Sequence, residues 1–303
     1  VGTFFQELAK KLAERWITLL AVPGALFVAT AGIGIRLRHQ HALDYTRLRT
    51  IVSDATAWMA RQPASSQAVA VVAVLLAAVG VGLAVQALAG ITRTIWLGPW
   101  PRLLAPLQYQ RVKSRRRRWR TRVNHRHTLQ QTHLPASRTP EEQHQIDTAA
   151  EKVNRLALAE PGRPTWMGDR IHALETIAHN RYGIDLSFAW PRLWLVLPDT
   201  TRTEITTANG AFAAATATAS WAWPYLFLGA LWWPASLIGI GVGATGWVQA
   251  RAAVTDLTIL SEAALDLNGR SLATALGVAE PDQLGPLTPT EGQQLTALIR
   301  KGR

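Results

Sequence analysis

Three stretches of this chain carry no charged residue: Trp16–Ile35, Pro63–Thr92 and Ile205–Ala250. An α-helix needs about 20 consecutive apolar residues to cross the hydrocarbon core of a bilayer. The first two stretches each supply one such helix. The third is long enough for two, and Trp232-Trp233-Pro234 marks a break within it. The pattern predicts four transmembrane helices, over roughly 16–36, 67–92, 208–231 and 234–252. The expected fold class is therefore all-α, a polytopic membrane protein with four transmembrane helices and a helical cytoplasmic region. A soluble core helix could account for one uncharged block, but not easily for several in succession. A signal peptide could account for the first, which has Lys10, Lys11 and Arg15 as a basic flank. That block lacks a small-x-small cleavage site leading into a soluble domain, and a second span follows it.

Tryptophan placement fits the same picture, because amphipathic rings favour the headgroup layer. Trp16, Trp96, Trp100, Trp232, Trp233 and Trp247 lie near predicted span ends. Trp221 and Trp223 fall inside the third span and are expected to pack between helices or face a cavity.

Arginine and lysine mark the cytoplasmic side. The hairpin tip at Trp232 is uncharged, whereas Arg202 and Arg251 flank its outer ends, so the tip is assigned outside. The region from Arg93 to Arg202 then lies in the cytoplasm with 19 of the 32 basic residues. Both termini are expected there too, in a multi-pass protein of the bacterial inner membrane. The outer loop carries Arg36, Arg38, Arg47, Arg49 and Arg61 against Asp44 and Asp54, which runs against the rule. The expected segments are 1–98 (an amphipathic helix and spans one and two), 99–204 (a basic helical region), 205–252 (the hairpin) and 253–303 (C-terminal helices).

Local signals fill in the remainder. Residues 1–15 read as an amphipathic helix, with Phe4, Phe5, Leu8 and Leu12 on one face. Tyr45–Arg61 reads as a helix ended by Pro63. Pro99, Pro101 and Pro106 break the chain before the basic run, and polar Asn124–Ser137 reads as a linker. Thr139-Pro140-Glu141-Glu142 is a capping box for a helix to about Glu160. Another helix is expected over about 167–181. The last span continues as helix to about Asn268, followed by a short helix near 270–276. A second box at Thr288 and Glu291 starts the final helix.

The residues Pro164-Thr-Trp-Met-Gly168, Ala173-Leu-Glu175, Arg181-Tyr-Gly-Ile-Asp185, Trp190-Pro-Arg-Leu-Trp194 and Leu197-Pro198 form one further pattern. It resembles an element of a family of bacterial, mostly actinomycete, integral membrane proteins with no assigned reaction. There, PTxxGN…A-E…RYGID…WPRL…LP precedes a hydrophobic hairpin. Asp169 stands where that pattern has Asn. The resemblance covers about 35 residues and implies an inner-membrane protein with a cytoplasmic element. Physically, Arg181, Asp185, Trp190 and Arg192 belong to an elbow returning the chain to the membrane, read as a segment lying in the interface or a collar packing under the helix bundle rather than as a catalytic site. Trp190-Pro191 and Leu197-Pro198 interrupt regular helix, and Arg192 is placed to reach a lipid phosphate.

The basic run contains Arg111, Lys113, Arg115, Arg116, Arg117, Arg118, Arg120 and Arg122, with Trp119 among them. Close behind a span, such a cluster binds anionic lipid headgroups at about 1 kcal/mol per charge. An acidic protein partner, nucleic acid stacked on Trp119, or a solvated topology signal are the other readings; nucleic acid ranks low among them. Zero cysteines exclude thiol catalysis and thiolate zinc. His39-x-His41 and His125-x-His127 have few nearby carboxylates and no cysteine, so no metal is expected. No Walker A loop, dinucleotide fingerprint, kinase signature or HExxH is present. Glu262 and Asp266 read as solvated or paired with Arg270. No catalytic residue and no cofactor are assigned.

Apart from Arg36 and Arg251 at their ends, the predicted spans contain no charged residue and no histidine, which argues against coupled transport. They do contain small residues suited to close helix packing: Ala78 and Gly82, and Gly239 and Gly243 in a GxxxG. Thr216, Thr218 and Ser220 are the candidate lining of a pore. Two functions are therefore expected: an oligomeric channel or pore of the inner membrane, or a membrane-anchored adaptor recruiting a cytoplasmic partner in signalling or defence. Anionic lipids and further copies of the chain are the other expected partners.

Overall fold

A computed structural model describes residues 21–133, 135–280 and 285–300. The amphipathic segment 1–15 and the start of the first predicted span lie outside them. The described residues are all-helical, with eleven α-helices, two short 3-10 turns and no strand. The chain divides into two compact units: residues 1–92 with 214–249, and residues 93–213 with 250–303. The segments expected as separate cytoplasmic pieces, 99–204 and 253–303, thus fold largely together.

In the first unit, α1 (Val22–Leu37) leads through a short loop to α2 (Tyr45–Arg61). Asp44 caps α2 by accepting from the Arg47 N–H at 2.9 Å. Helix α3 (Ala64–Leu97) is 34 residues long and exceeds the predicted span at both ends. Among the described residues it holds the one segment long and apolar enough to cross a membrane; α1, at 16 residues, is apolar but shorter. Only 17% of the most apolar window of that segment is buried. Val71, Val72, Leu75 and Leu76 stand exposed on α3, whereas a soluble core helix would bury them. At Gly24 a Cβ would run into the Ala78 carbonyl, so α1 and α3 approach backbone to backbone there.

The predicted third span is interrupted. Helix α8 (Asp199–Ser220) ends at Trp221, and α9 (Ala222–Gly229) resumes after one residue. Pro224 has no N–H for the Ser220 carbonyl, which accounts for the break. The hairpin tip at Trp232 follows, and α10 (Trp233–Ala275) runs for 43 residues. Helix α9 packs on α1, with Phe27 and Tyr225 edge to face at 5.2 Å. Trp232 donates to the Ala42 carbonyl at 3.1 Å, and His39 bonds the Ala230 carbonyl at 2.8 Å.

In the second unit, α4 (Ala105–Thr132) absorbs the predicted linker 124–137 up to Thr132. Arg, Gln and His are serviceable helix formers, and nothing between Asn124 and Thr132 breaks the helix. Pro106 lies in its first turn, where no N–H is needed. Helix α5 (Pro140–Leu156) has the expected capping box, Thr139 with Glu142. It stops short of Glu160, with Ala157 already extended. Helix α6 (Trp166–Tyr182) ends at Gly183, whose φ of 68° is the left-handed conformation of a helix C-cap.

Helix α7 (Leu186–Val196) contains Pro191 in its interior, so the expected interruption at Trp190-Pro191 does not occur. Leu186, Ala189 and Leu193 are buried on one face, and that packing keeps the helix together around the proline. One face of the elbow helix therefore packs into the core, while Leu195 on another face is exposed. Helix α10 also continues past Asn268 without the expected separate helix near 270–276. The final helix, α11 (Pro289–Arg300), packs Leu295 and Ile299 against α6 and α7. Tyr182, Ile184, Leu265 and Leu272 complete this core.

Candidate functional site

The most built polar feature of the second unit is the inner face of α4. Helix α5 ends with carbonyls that have no partner within the helix, and its dipole makes that end negative. Three side chains of α4 donate to carbonyls in or just beyond the last turns of α5. Arg122 reaches Lys152 O at 2.8 Å, Arg115 reaches Leu156 O at 3.1 Å, and the Trp119 indole reaches Ala157 O at 3.2 Å. Beyond α5, Arg116 donates to Pro161 O at 2.7 Å, and Arg120 pairs with Glu160 at 2.7 Å. The Trp119 indole N–H is therefore engaged in the fold.

Asp169, in the first turn of α6, closes this arrangement. Its Oδ2 lies 2.6 Å from Arg115 Nη2 and 2.7 Å from Nε. Its Oδ1 accepts from the Gly162 and Arg163 N–H groups at 2.8 and 2.6 Å. The residue is 3% exposed, so a carboxylate here requires this full set of partners. Leu97 and Gly168 also meet closely, and Thr165 donates to the Trp96 carbonyl at 2.5 Å.

The basic run is thus divided by helical geometry. Arg115, Arg116, Arg120 and Arg122 are engaged within the unit. The side chains of Arg111, Lys113, Arg117 and Arg118 are exposed and have no partner among the described residues. At 100° per residue, Lys113 and Arg117 point away from Arg115, with Arg111 and Arg118 on one flank. Engagement of half the cations fixes the helix that displays the other half.

The elbow residues serve structure. Arg181 lies 3.5 Å from Asp266, and Tyr182 donates to Asp266 at 2.6 Å. Burial, with this hydrogen bond, pushes the Tyr182 phenol up to about 12. Asp185 accepts from the Ser187 N–H and pairs with Arg300 at 2.5 Å. The bond from Arg300 holds its carboxyl below the usual range. Trp190 is half-buried beside Trp194. Arg192 donates to the Phe188 carbonyl of its own helix at 2.9 Å, not outward as expected for a lipid contact. Arg270 pairs with Glu291 rather than with Glu262 or Asp266.

Helical phase separates the proposed pore residues. Thr216 and Ser220 are buried at 3% and 0%, while Thr218, about 200° from Thr216, is exposed. Ser220 donates to Thr92 Oγ1 at 3.1 Å, and the Trp223 indole donates to the same oxygen at 3.1 Å. The three hydroxyl residues therefore share no common face. Gly239 and Gly243 abut Ala222, and Gly246 abuts Ala219. Ala78 and Gly82 are buried, with Ala78 against Gly24.

A group that sequence reading passed over sits on α6 and α10. Trp166 has the Arg251 guanidinium 4.3 Å from its ring centre and that of Arg170 at 5.7 Å. The sequence signal was present in Trp166 and Arg170 at a spacing of four, one helical turn apart. No protein-family model, curated protein or solved structure matches this chain.

Proposed function

We propose that this chain is a multi-pass protein of the bacterial inner membrane that anchors a basic, all-helical unit at the cytoplasmic face, where it acts as an adaptor. The observation that carries the reading is the division of α4. Arg115, Arg116, Arg120 and Arg122 are engaged in the unit, which leaves Arg111, Lys113, Arg117 and Arg118 as an ordered cationic surface. Such a surface suits an acidic protein segment or anionic headgroups. The exposed apolar face of α3 supports a membrane location. The resemblance around residues 164–198 points the same way.

The channel reading receives less support, because Thr216 and Ser220 are turned inward and Thr218 is turned away from them. A four-span oligomer remains compatible with the uncharged blocks. The deciding experiment compares the full chain with a variant carrying Gln at positions 111, 113, 117 and 118. Site-specific photo-crosslinking from α4 in the native host should give a discrete protein adduct that the variant loses at unchanged thermal stability. Step conductance of the purified chain in planar bilayers would replace this reading with the channel.

A further inference from the structure

The second unit contains a cavity of about 440 Å³ between α6, α7, α8 and α10. Ligand pockets for small molecules typically measure about 300–1,000 Å³, so the space is adequate for one. Leu174, Trp190, Trp194, Ile205 and Leu257 give it largely apolar walls. Thr258, Ser261 and Asn209 add polar groups along α8 and α10. Ser261 is 4% exposed, and neither its hydroxyl nor the Asn209 amide has a partner among the described residues.

A cation adjoins this polar side. Arg170 Nε donates to Thr258 Oγ1 at 3.1 Å, which brings the guanidinium against the cavity wall. The guanidinium is half-buried on the Trp166 ring. Burial lowers the guanidinium from its ordinary value, opposed by nearby Glu262, yet the two make no ion pair. A partly desolvated guanidinium with open donors calls for an anionic acceptor. Along the chain, Ile205 and Asn209 lie at the start of the uncharged stretch 205–250, and Leu257, Thr258 and Ser261 lie shortly after its end.

We propose that this cavity takes one acyl chain of an anionic amphiphile, with its carboxylate or phosphate at Arg170. The tail lies among Trp190, Trp194, Ile205 and Leu257, and head oxygens accept from Arg170 and Ser261. The donor is either a free fatty acid or one chain of an anionic phospholipid. The inference rests on the membrane reading only for a supply of such molecules; the cavity and its cation do not depend on adaptor activity.

The test uses the full chain in detergent with two photoreactive probes: a diazirine-bearing palmitate, and phosphatidylglycerol with the diazirine on one acyl chain. Peptide mapping should show adducts concentrated around residues 190–194, 205–209 and 257–261 in at least one arm. The arm that labels identifies the source. Arg170→Gln should lower labelling about tenfold, the effect of one charge-assisted contact, while a neutral monoacylglycerol probe is unaffected. Leu174→Trp should fill the cavity and reduce all probes; should it fail to fold, Arg170→Gln with the neutral probe still decides. Labelling spread evenly over Ala64–Leu97 without enrichment at the cavity would overturn the proposal. So would labelling by both anionic probes that Arg170→Gln leaves unchanged. Neither result bears on crosslinking from α4, so failure here and failure of the adaptor reading are distinguishable.

Discussion

Arg115 and Asp169 meet at 2.6 Å, with side chains 17% and 2% exposed, and join the basic helix to the first turn of α6. Breaking a buried pair by removing one partner costs about 3–5 kcal/mol, because the other charge is left uncompensated. Asp169→Ala should therefore lower the unfolding free energy by about that amount. The exposed Arg155–Glu151 pair should contribute less than about 1 kcal/mol. Double-mutant cycles by thermal denaturation in detergent would measure both; equal coupling in the two pairs would remove the special role of Asp169.

Close approach of helices makes individual glycines unequal. Gly24→Ala pushes a methyl into the Ala78 carbonyl, and Gly246→Ala places one 2.7 Å from the Ala219 backbone. Gly32, Gly80 and Gly241 face open space. The first two substitutions should destabilise by about 1–3 kcal/mol, and alanine at the other three should be neutral or slightly stabilising. Thermal melts of the five variants would test the order, and a loss at Gly32 as large as at Gly24 would contradict the packing.

Thr92 accepts from both Ser220 and Trp223. Hydrogen bonds between helices in membranes contribute about 0.6–2 kcal/mol. Thr92→Val should cost about 1–2 kcal/mol on that basis, while Thr218→Val, at an exposed site, should change stability little. The same pair tests the pore reading: loss of ion conductance in Thr218→Val with stability intact would favour a channel.

Acid should loosen α11. The Arg300 bond lowers the Asp185 carboxyl, and the Thr288 side-chain bond leads the lowering at Glu291, with Arg270 adding to it. Groups with depressed folded values contribute fully above their unfolded pKa, about 4, and lose that contribution as pH falls through the folded values. Protection against hydrogen exchange at Leu295 and Ile299, corrected for the intrinsic rate, should fall below about pH 4, where unfolded carboxylates protonate, ahead of protection in the α6 core. Arg300→Gln should flatten the dependence. Identical acid profiles for α11 and α6 would refute the link.

Much of this architecture was legible from local chemistry. Thr139 and Thr288 announce their helices because a cap is a short-range device, readable within four residues. The uncharged blocks likewise mark the apolar helices directly. What stayed hidden depends on distant partners. Asn124–Thr132 looked like a linker because its polarity gives no helical stripe, yet it extends a helix already fixed by Arg115 and Trp119. Pro191 looked like a break because the packing of Leu186, Ala189 and Leu193 cannot be read from a dipeptide. Which four cations of the basic run are engaged depends on where α5 ends and where Asp169 lies, both tertiary facts.

The membrane topology is tested most directly by cysteine accessibility, because the chain has no cysteine to confuse the readout. Gln40→Cys and Ser137→Cys each introduce one thiol at an exposed position. With four spans and the basic unit in the cytoplasm, a membrane-impermeant maleimide should label Gln40→Cys in intact spheroplasts and Ser137→Cys only after permeabilisation. Labelling of Ser137→Cys in intact spheroplasts, or release of the chain from membranes by alkaline carbonate, would contradict the account.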